Sequence, residues 1–393
     1  MGHCAYIIEK GRVEIFIQQD NACTPISYMG VGEIFGEMAI IDKAPRSASA
    51  KALEDCELTI VSKEQLSERV SESDPIVKLL LTMLSNRLRS DIKKNAKLAK
   101  MSKFKEEELK NLYALKAPKT ISLEDSKTID KIRFERELYN ALSQNEFQVY
   151  YQPVVDLKNQ KTAGVEALIR WNSPKRGLVR PDLFMGVAEE TSLIIPIGQW
   201  ILKESFKQFS EMLKVNHQYF NPYPFLSINV SVRQFNDPDF FKILEDCTQK
   251  FHLNPKQVKL EITERILLEG HLAMDWIDQC RNMGFSVAID DFGTGYSSLR
   301  NLDHLNVNYL KIDKVFIDKI EHNENTKVIV KSIIEMSKGL GFKVVAEGIE
   351  QPEQAKILTE FGADLAQGYL FSKPLPIDKV MEFITGKKLK VAS

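Results

Sequence analysis

The sequence predicts an α/β protein in which a closed (β/α)8-like barrel of the TIM type follows a small β-roll domain and a long connecting helix. Three observations support this prediction. Residues 1–62 contain short β-rich segments separated by Gly, Asp and Asn turns. A pattern of period 3.6 begins near Pro75. After residue 131, strand-like and helix-like segments alternate, which indicates parallel strands and, with this many units, a closed barrel.

Length and composition limit the possible classes of protein. A chain of 393 residues exceeds the usual size of one core, so we expect two domains. The hydrophobic fraction of 44% excludes a disordered chain, and the net charge of -1 gives no reason to expect a nucleic acid duplex as partner. The five cysteines are odd in number and lack CxxC spacing, which favours a reducing cytoplasm. We also expect no membrane partner, because no apolar run is long enough to span a bilayer.

The amino-terminal region is predicted to be a β-roll with strands at 4–8, 13–17, 26–29 and 57–61. The first strand begins almost at once, which suggests that the domain lacks its first strands. From Pro75 onward, apolar residues recur on one helical stripe, whereas the other face is basic and is expected to be a solvated surface. The stripe, which predicts a dimer seam, consists of Leu80, Leu84, Leu88, Ile92, Ala96 and Ala99. We therefore place the domains at 1–90 and 131–393, joined by a helical linker at 91–130.

Polar side chains lie near the carboxyl ends of the predicted barrel strands. They are Glu166, Asn229, Glu261, Asp290, Asp291, Lys311, Glu347 and Gln367. A single acid of this kind is usually an exposed strand-end residue, but the carboxyl ends of parallel barrel strands meet at one face, so the whole set is expected to converge. Several buried acids repel one another unless cations compensate them, which predicts Mg²⁺ or Mn²⁺. The absence of a nearby histidine argues against zinc.

Seven ordered motifs carry a resemblance to a known family. They are EALIRW (166–171), INVS (228–231), EITE (261–264), DDFGTGYSSL (290–299), LKID (310–313), AEGIE (346–350) and QGYLFSKP (367–374). Together they resemble the EAL-domain phosphodiesterases of bacterial cyclic di-GMP signalling, over roughly residues 131–386. The resemblance implies a barrel of this type and the metal-dependent hydrolysis of cyclic di-GMP to linear pGpG.

The resemblance also implies roles for individual residues. The implied ligands of two metal ions, Mg²⁺ or Mn²⁺, are Glu166, Asn229, Glu261, Asp290 and Asp291. The residues similar to those that orient or deprotonate the attacking water are Lys311 and Glu347; for Glu347, general base and metal ligand both stay open. The residues similar to substrate contacts are Gln152, Arg170 and Gln367, of which Gln367 also resembles a water or metal contact. Glu264 resembles a brace for the loop at 291–298, which links dimerisation to metal binding.

Residues 30–58 resemble the phosphate-binding cassette of cyclic-nucleotide-binding domains of the catabolite-activator type. In this cassette Gly36 would let backbone N–H groups approach a phosphate, and Glu37 would accept a hydrogen bond from a ribose hydroxyl. Arg46 would neutralise the cyclic phosphate, and Ser47 would add a hydroxyl contact. We therefore expect cAMP or cGMP to act as an effector that shifts the helix at 75–110 and with it a homodimer of the barrel. The alternative is a catalytically weak cyclic di-GMP receptor or a dimeric signalling scaffold.

Overall fold

The computed structural model describes residues 4–19, 22–41, 45–63, 83–84, 123–216, 219–220, 223–265, 271–293 and 305–386. The chain divides into two compact units, residues 1–138 and 139–393. The predicted domain boundary at residue 90 lies outside the described residues, and the predicted boundaries remain predictions.

The amino-terminal unit contains two small antiparallel sheets. The first places β1 between β4 and β6, and the second places β2 between β3 and β5. The strands are β1 (Cys4–Lys10), β2 (Val13–Gln19), β3 (Ala22–Met29), β4 (Ile34–Phe35), β5 (Ser49–Ala52) and β6 (Glu57–Ser62). A small core is formed by Ala5, Ile7, Ile40 and Val61. All four predicted strands are present; β4 and β5 were not predicted, because β4 has two residues and β5 is exposed throughout.

The structure gives the bounds of two helices in this unit, α1 (Met38–Ile41) and α2 (Leu123–Ser143), and α2 continues into the second unit. Arg133 on α2 donates from Nε to Glu9 Oε1 at 2.8 Å, and Thr59 donates to the same oxygen at 2.6 Å. Burial opposes ionisation of Glu9, but these hydrogen bonds outweigh it and lower the pKa of the carboxyl. Arg136 donates to the carbonyl of Ile60 at 2.9 Å. Charged hydrogen bonds therefore attach α2 to β1 and β6.

Most of the predicted helix at 75–110 lies outside the described residues. Met83 and Leu84 are described, and both are helical and exposed. The predicted dimer seam is therefore represented by Leu84 alone among the described residues.

The second unit is a closed barrel, as predicted. Its strands are β7 (Phe147–Asp156), β8 (Thr162–Ser173), β10 (Phe225–Asn229), β11 (Val258–Thr263), β12 (Ser286–Phe292), β13 (Tyr309–Ile312), β14 (Lys343–Ala346) and β15 (Leu365–Ala366), and a short β9 (Gly177–Val179) extends β8. Pairing of β10 with β8 closes the ring.

One part of the barrel prediction was wrong, namely the assumption that every strand is parallel. The first strand, β7, runs antiparallel to both of its neighbours, β8 and β15. The reason is local. β7 and β8 are joined by the short turn at 157–161, which is too short for the crossover that two parallel neighbours require.

Helices surround the barrel strands. They are α3 (Pro181–Glu190), α4 (Ile194–Asn216), α5 (Phe240–Phe251), α6 (His271–Asn282), α7 (Lys314–Ile317), α8 (Glu324–Gly339), α9 (Pro352–Phe361) and α10 (Ile377–Ile384). Within the described part of the chain, none of the helices combines the length and the apolar character needed to cross a bilayer.

A lysine lies inside the barrel among apolar side chains. Lys259 on β11 is 1% exposed, and its Nζ lies 3.6 Å from the ring centroids of both Phe225 and Tyr309. These rings belong to a core layer with Val154, Ala163, Val345 and Leu365. Two aromatic faces attract an ammonium, but burial costs it its hydration. Burial, partly offset by Glu261, lowers the pKa of Lys259 to about 7.

Replacing Lys259 tests this pKa. A lysine in the unfolded chain has a pKa of about 10.4, so between about pH 7 and pH 10 the unfolded chain binds more protons than the folded one. The free energy of unfolding therefore rises with pH over this range. Lys259→Met removes this contribution. We expect the free energy of unfolding of the wild type to gain about 1 kcal/mol per pH unit relative to the variant over this window. Urea unfolding at several pH values measures the difference, with the exposed Lys356→Met as the control; curves that stay parallel for wild type and Lys259→Met contradict it.

Candidate active site

Four carboxylates surround one ammonium group at the carboxyl ends of the barrel strands. Nζ of Lys311 lies 2.6 Å from Glu261 Oε2, 2.7 Å from Glu347 Oε1, 3.1 Å from Asp290 Oδ1 and 3.7 Å from Glu166 Oε2. Lys311 itself is 1% exposed. The strands β8, β11, β12 and β13 and the end of β14 each contribute one of these side chains. Residues separated by up to 181 positions, from Glu166 to Glu347, are thus brought into one buried cluster.

A chain of side-chain amides orients the same cluster. Asn229 donates from Nδ2 to Glu166 Oε1 at 2.7 Å. Gln367 donates from Nε2 to Glu166 Oε2 at 2.6 Å and to Gln152 Oε1 at 3.0 Å, and Gln152 donates to the carbonyl of Ser372 at 3.0 Å. Both oxygens of the Glu166 carboxylate therefore accept hydrogen bonds from fixed donors, which sets its orientation.

The adjacent acids Asp290 and Asp291 lie at a distortion of β12. The pairing register with β13 shifts between Ile289 and Phe292, which indicates a β-bulge. Asp291 has φ of 54°, a left-handed conformation that is uncommon for a residue other than glycine. Its backbone N–H donates to Asp290 Oδ1 at 2.9 Å. A bulge breaks the strict alternation of side chains along a strand. Two consecutive acids can therefore lie on the same side, and one oxygen of Asp290 lies within 4.8 Å of one oxygen of Asp291.

Glu264 lies beside the loop that follows this bulge. Its Oε2 accepts a hydrogen bond from the backbone N–H of Gly293 at 2.9 Å. Glu264 is 5% exposed. The contact joins the end of β11 to the start of the loop at 291–298, of which residues 294–298 lie outside the described part of the chain.

Burial and mutual repulsion alter the pKa values of the cluster. Burial raises the pKa of Glu261 to about 7 and also raises that of Glu347, although Lys311 opposes both changes. Burial and the charge of Asp290 raise the pKa of Asp291 to about 6. Burial alone would lower the pKa of Lys311, but the surrounding carboxylates outweigh it and raise the pKa, so the ammonium stays charged. One ammonium does not balance four carboxylates.

The donor set fits a divalent cation with a preference for oxygen. One carboxylate oxygen from each of Asp290, Asp291 and Glu347 lies within 4.8 Å of the others. The buried Oε1 of Gln367 accepts no hydrogen bond from any described residue. Carboxylate and amide oxygens with excess negative charge suit a hard divalent cation.

A cavity of ≈ 320 Å³ opens above the cluster. It is lined by Gln152, Glu166, Leu168, Asp290, Lys311, Lys314, Glu347, Gly348, Glu350, Gln367, Gly368 and Tyr369. Six of these were not predicted from the sequence: Leu168, Lys314, Gly348, Glu350, Gly368 and Tyr369. Their position in the sequence could have indicated them, because each lies within three residues of a predicted site residue. Arg170 is not among the lining residues; it is half-buried, and its Cζ lies 5.5 Å from the ring centroid of Tyr150.

The four predicted contact residues of the amino-terminal cassette lie between β4 and β5. Gly36 has φ of 83°, and a Cβ at this position would overlap Nη1 of Arg46. Arg46 donates from Nη2 to the carbonyl of Cys4 at 2.6 Å, and its Cζ lies 5.9 Å from the ring centroid of Tyr6. The structure thus brings Gly36 and Arg46 together. Glu37 precedes α1 and Ser47 precedes β5; Tyr6 was not predicted as part of this site.

Comparison with protein families decides the classification. The family model described as "EAL domain" matches residues 135–374. This chain belongs to the EAL domain family. A second family model, described as "Cyclic nucleotide-binding domain", matches residues 1–73. The chain therefore combines an EAL domain with an amino-terminal cyclic-nucleotide-binding domain.

Solved structures of EAL proteins are similar to this chain. The EAL enzyme Bd1971 in its cAMP-bound form matches with a TM-score of 0.64 and 41% identity, over 98% of this chain and 95% of that chain. Bd1971 with both cAMP and cyclic-di-GMP bound matches with a TM-score of 0.64 and 42% identity. The EAL domain alone resembles the PaMucR phosphodiesterase in complex with c-di-GMP, with a TM-score of 0.60 and 34% identity over 63% of this chain and 99% of that chain.

Curated relatives match about two thirds of this chain. The cyclic di-GMP phosphodiesterase PdeR of Escherichia coli is 32% identical over 255 residues, which cover 64% of this chain and 37% of PdeR. The signaling protein YkoW of Bacillus subtilis is 37% identical over 267 residues, which cover 67% of this chain and 32% of YkoW. The chain thus spans about a third of the length of these relatives.

Removing the central ammonium of the EAL domain tests the charge balance. Lys311→Met leaves four carboxylates without their cation, and loss of one partner from a buried ionic cluster costs about 3–5 kcal/mol. We expect a lower unfolding temperature without divalent ions and a larger recovery on addition of Mg²⁺ or Mn²⁺ than in the wild type. Thermal unfolding with and without the ions measures both. Lys327→Met, which breaks an exposed pair with Glu324, serves as the control; equal unfolding temperatures for Lys311→Met and wild type contradict the expectation.

Proposed function

We propose that this protein hydrolyses cyclic di-GMP to linear pGpG with the help of Mg²⁺ or Mn²⁺. The observation that supports this most directly is the buried carboxylate cluster around Lys311, at the end of the barrel where the cavity opens. An apolar or neutral ligand gives no reason to bury four acids together. A substrate whose reaction needs divalent cations gives such a reason, because buried acids can hold the cations.

Five oxygen-bearing side chains are the proposed holders of two metal ions. They are Glu166, Asn229, Glu261, Asp290 and Asp291. When bound, the ions would lower the pKa of a water molecule and offset charge on the scissile phosphate. Glu166 is fixed for this purpose by Asn229 and Gln367, and Asp291 is turned toward the same end by the bulge in β12.

Lys311 and Glu347 are the proposed residues for water activation. Burial raises the pKa of the Glu347 carboxyl, which makes its carboxylate a stronger proton acceptor and suits a general base. Lys311 lies 2.7 Å from it and keeps a positive charge beside the developing negative one. Gln152, Arg170 and Gln367 are the proposed substrate contacts. Glu264 is the proposed brace for the loop at 291–298.

We further infer that cAMP or cGMP binds the amino-terminal domain and changes the rate of hydrolysis. Support comes from the close approach of Arg46 to Gly36, because a guanidinium beside a glycine turn suits an anionic phosphate. Glu37 and Ser47 are the proposed contacts to the ribose and the phosphate. A homodimer of the EAL domain and a cytoplasmic location complete the proposal.

Glu166→Ala tests the catalytic part. Wild-type protein with Mg²⁺ or Mn²⁺ should convert cyclic di-GMP to pGpG, and a chelator should stop the reaction. The variant loses a carboxylate at the centre of the cluster, so we expect kcat to fall by about 100-fold or more. Chromatography of the products measures turnover, and Glu166→Gln with a melting curve controls for misfolding. Binding of cyclic di-GMP without turnover under both metals would show a receptor instead of an enzyme.

Arg46→Ala tests the regulatory part. The variant loses the charge proposed to bind the cyclic phosphate, so affinity for cAMP or cGMP should fall by about 10-fold or more. Calorimetric titration of the full chain measures the affinity, and turnover with saturating nucleotide measures the effect on rate. Arg12→Ala removes an exposed arginine that pairs with Glu54 and is the control. Wild-type turnover that is identical with and without both nucleotides would refute regulation.

A further inference from the structure

Charge is distributed unevenly around the cavity of the EAL domain. Glu166, Asp290, Glu347 and Glu350 line it, together with two cations, Lys311 and Lys314. The proposed substrate carries negative phosphodiester groups, so acidic side chains at the opening repel it on approach. A cation at the rim that is able to change partners would offset this repulsion.

Lys311 is unsuited to that role. Its side chain is 2% exposed, and its Nζ lies within 4.0 Å of four carboxylates. An ammonium that left this position would abandon buried acids without compensation, which is costly. Lys311 therefore stays in place when a ligand enters.

Lys314 has different surroundings. Its side chain is 44% exposed, and its Nζ pairs with Asp318 at 2.5 Å and with Glu350 at 2.9 Å. Both partners are themselves almost half exposed. Ion pairs between exposed groups contribute little to stability, because water solvates either ion once they separate. Lys314 can therefore exchange a carboxylate for an incoming phosphate at little cost.

The backbone at Gly348 keeps Lys314 at the cavity. Gly348 has φ of 68°, and a Cβ at this position would overlap Cγ of Lys314 and lie 2.5 and 2.7 Å from its Cβ and Cδ. The methylene groups of Lys314 thus lie directly against the residue that follows Glu347. At its own backbone, Lys314 is the first residue of α7, whose amino end is capped by Asp313 through a 2.7 Å bond to the N–H of Val315. The aliphatic part of the side chain and the backbone are thus held in place, which leaves the partly exposed ammonium as the group that is able to change partners.

We propose that Lys314 is a substrate-binding residue: its ammonium leaves Asp318 and Glu350, binds a phosphate of cyclic di-GMP at the rim, and places the diester beside Glu347. The inference rests on the proposed function, since it names a further contact to the same substrate. No bond is made or broken in this step. Before substrate binds, the ammonium of Lys314 pairs with Asp318 and Glu350.

Lys314→Met tests the proposal, because methionine retains most of the stem over Gly348 and lacks the charge. We expect KM to rise about 10-fold, as for loss of one charged hydrogen bond, with kcat within about 2-fold of wild type. Kd for cyclic di-GMP, measured by calorimetry in the presence of a chelator, should rise by a similar factor. Added salt should raise KM less in the variant than in the wild type, because the variant lacks the ionic contact between residue 314 and the phosphate. Lys314→Arg keeps the charge and should restore KM.

A matched control and two contrary results make the test decisive. Lys356→Met also removes an exposed lysine paired with an acid, Glu353 at 3.3 Å, but away from the cavity lining, and should leave KM unchanged. Melting curves verify folding of all three variants. Lys314→Met with wild-type KM and Kd overturns the proposal, and so does a loss of kcat at unchanged KM, which would mean that Lys314 only positions Glu347. Wild-type protein that neither binds nor hydrolyses cyclic di-GMP refutes the proposed function itself.

Discussion

The constraint on which the barrel depends is the charge balance around Lys311. Four carboxylates lie within 4.0 Å of one buried ammonium. They compensate the positive charge of Lys311, but this single charge does not compensate four acids. Around this cluster, burial raises the pKa values of Glu261 and Glu347 against the opposing charge of Lys311, amides fix both oxygens of Glu166, and an acid-rich cavity opens to solvent. A cluster of this kind is stable only where the surrounding fold is rigid enough to hold it, and a closed ring of strands provides that rigidity.

The two lysines of the cavity illustrate how burial determines what a charge can do. Lys311 and Lys314 are three residues apart, at the end of β13 and at the start of α7. The first is surrounded by buried acids and is held strongly, so it organises the cluster. The second has exposed partners and is held weakly, so it is available to a ligand. The same amino acid therefore serves as a permanent counter-ion at one position and as an exchangeable one at the other.

Much of the site could be predicted because polar residues interrupt apolar strands at the same relative place. Asn229, Glu261 and Asp290 follow this rule, whereas Glu166 is the fifth of the twelve residues of β8, and parallel pairing brings all four together. The rule does not reach Lys314, Glu350 or Tyr369, which lie beyond the strands, where position depends on turns. The close contact of Gly348 with Lys314 depends on three-dimensional approach and has no signature in sequence. The alternation of polar and apolar residues along a strand also does not distinguish Lys259 from a lysine that faces solvent, although Lys259 is buried inside the barrel.

The reversed direction of β7 determines where the chain enters the barrel. In a ring of eight parallel strands the first strand would begin at the opening opposite the carboxylates. Here Phe147, the first residue of β7, pairs with Trp171, five positions beyond Glu166 toward the carboxyl end of β8. Glu146 accepts a hydrogen bond from Trp171 Nε1 at 2.8 Å and fixes this entry point. A force applied to residues 139–146 would consequently act first at the end of the barrel that carries the carboxylate cluster, and would not have to pass through the length of the barrel.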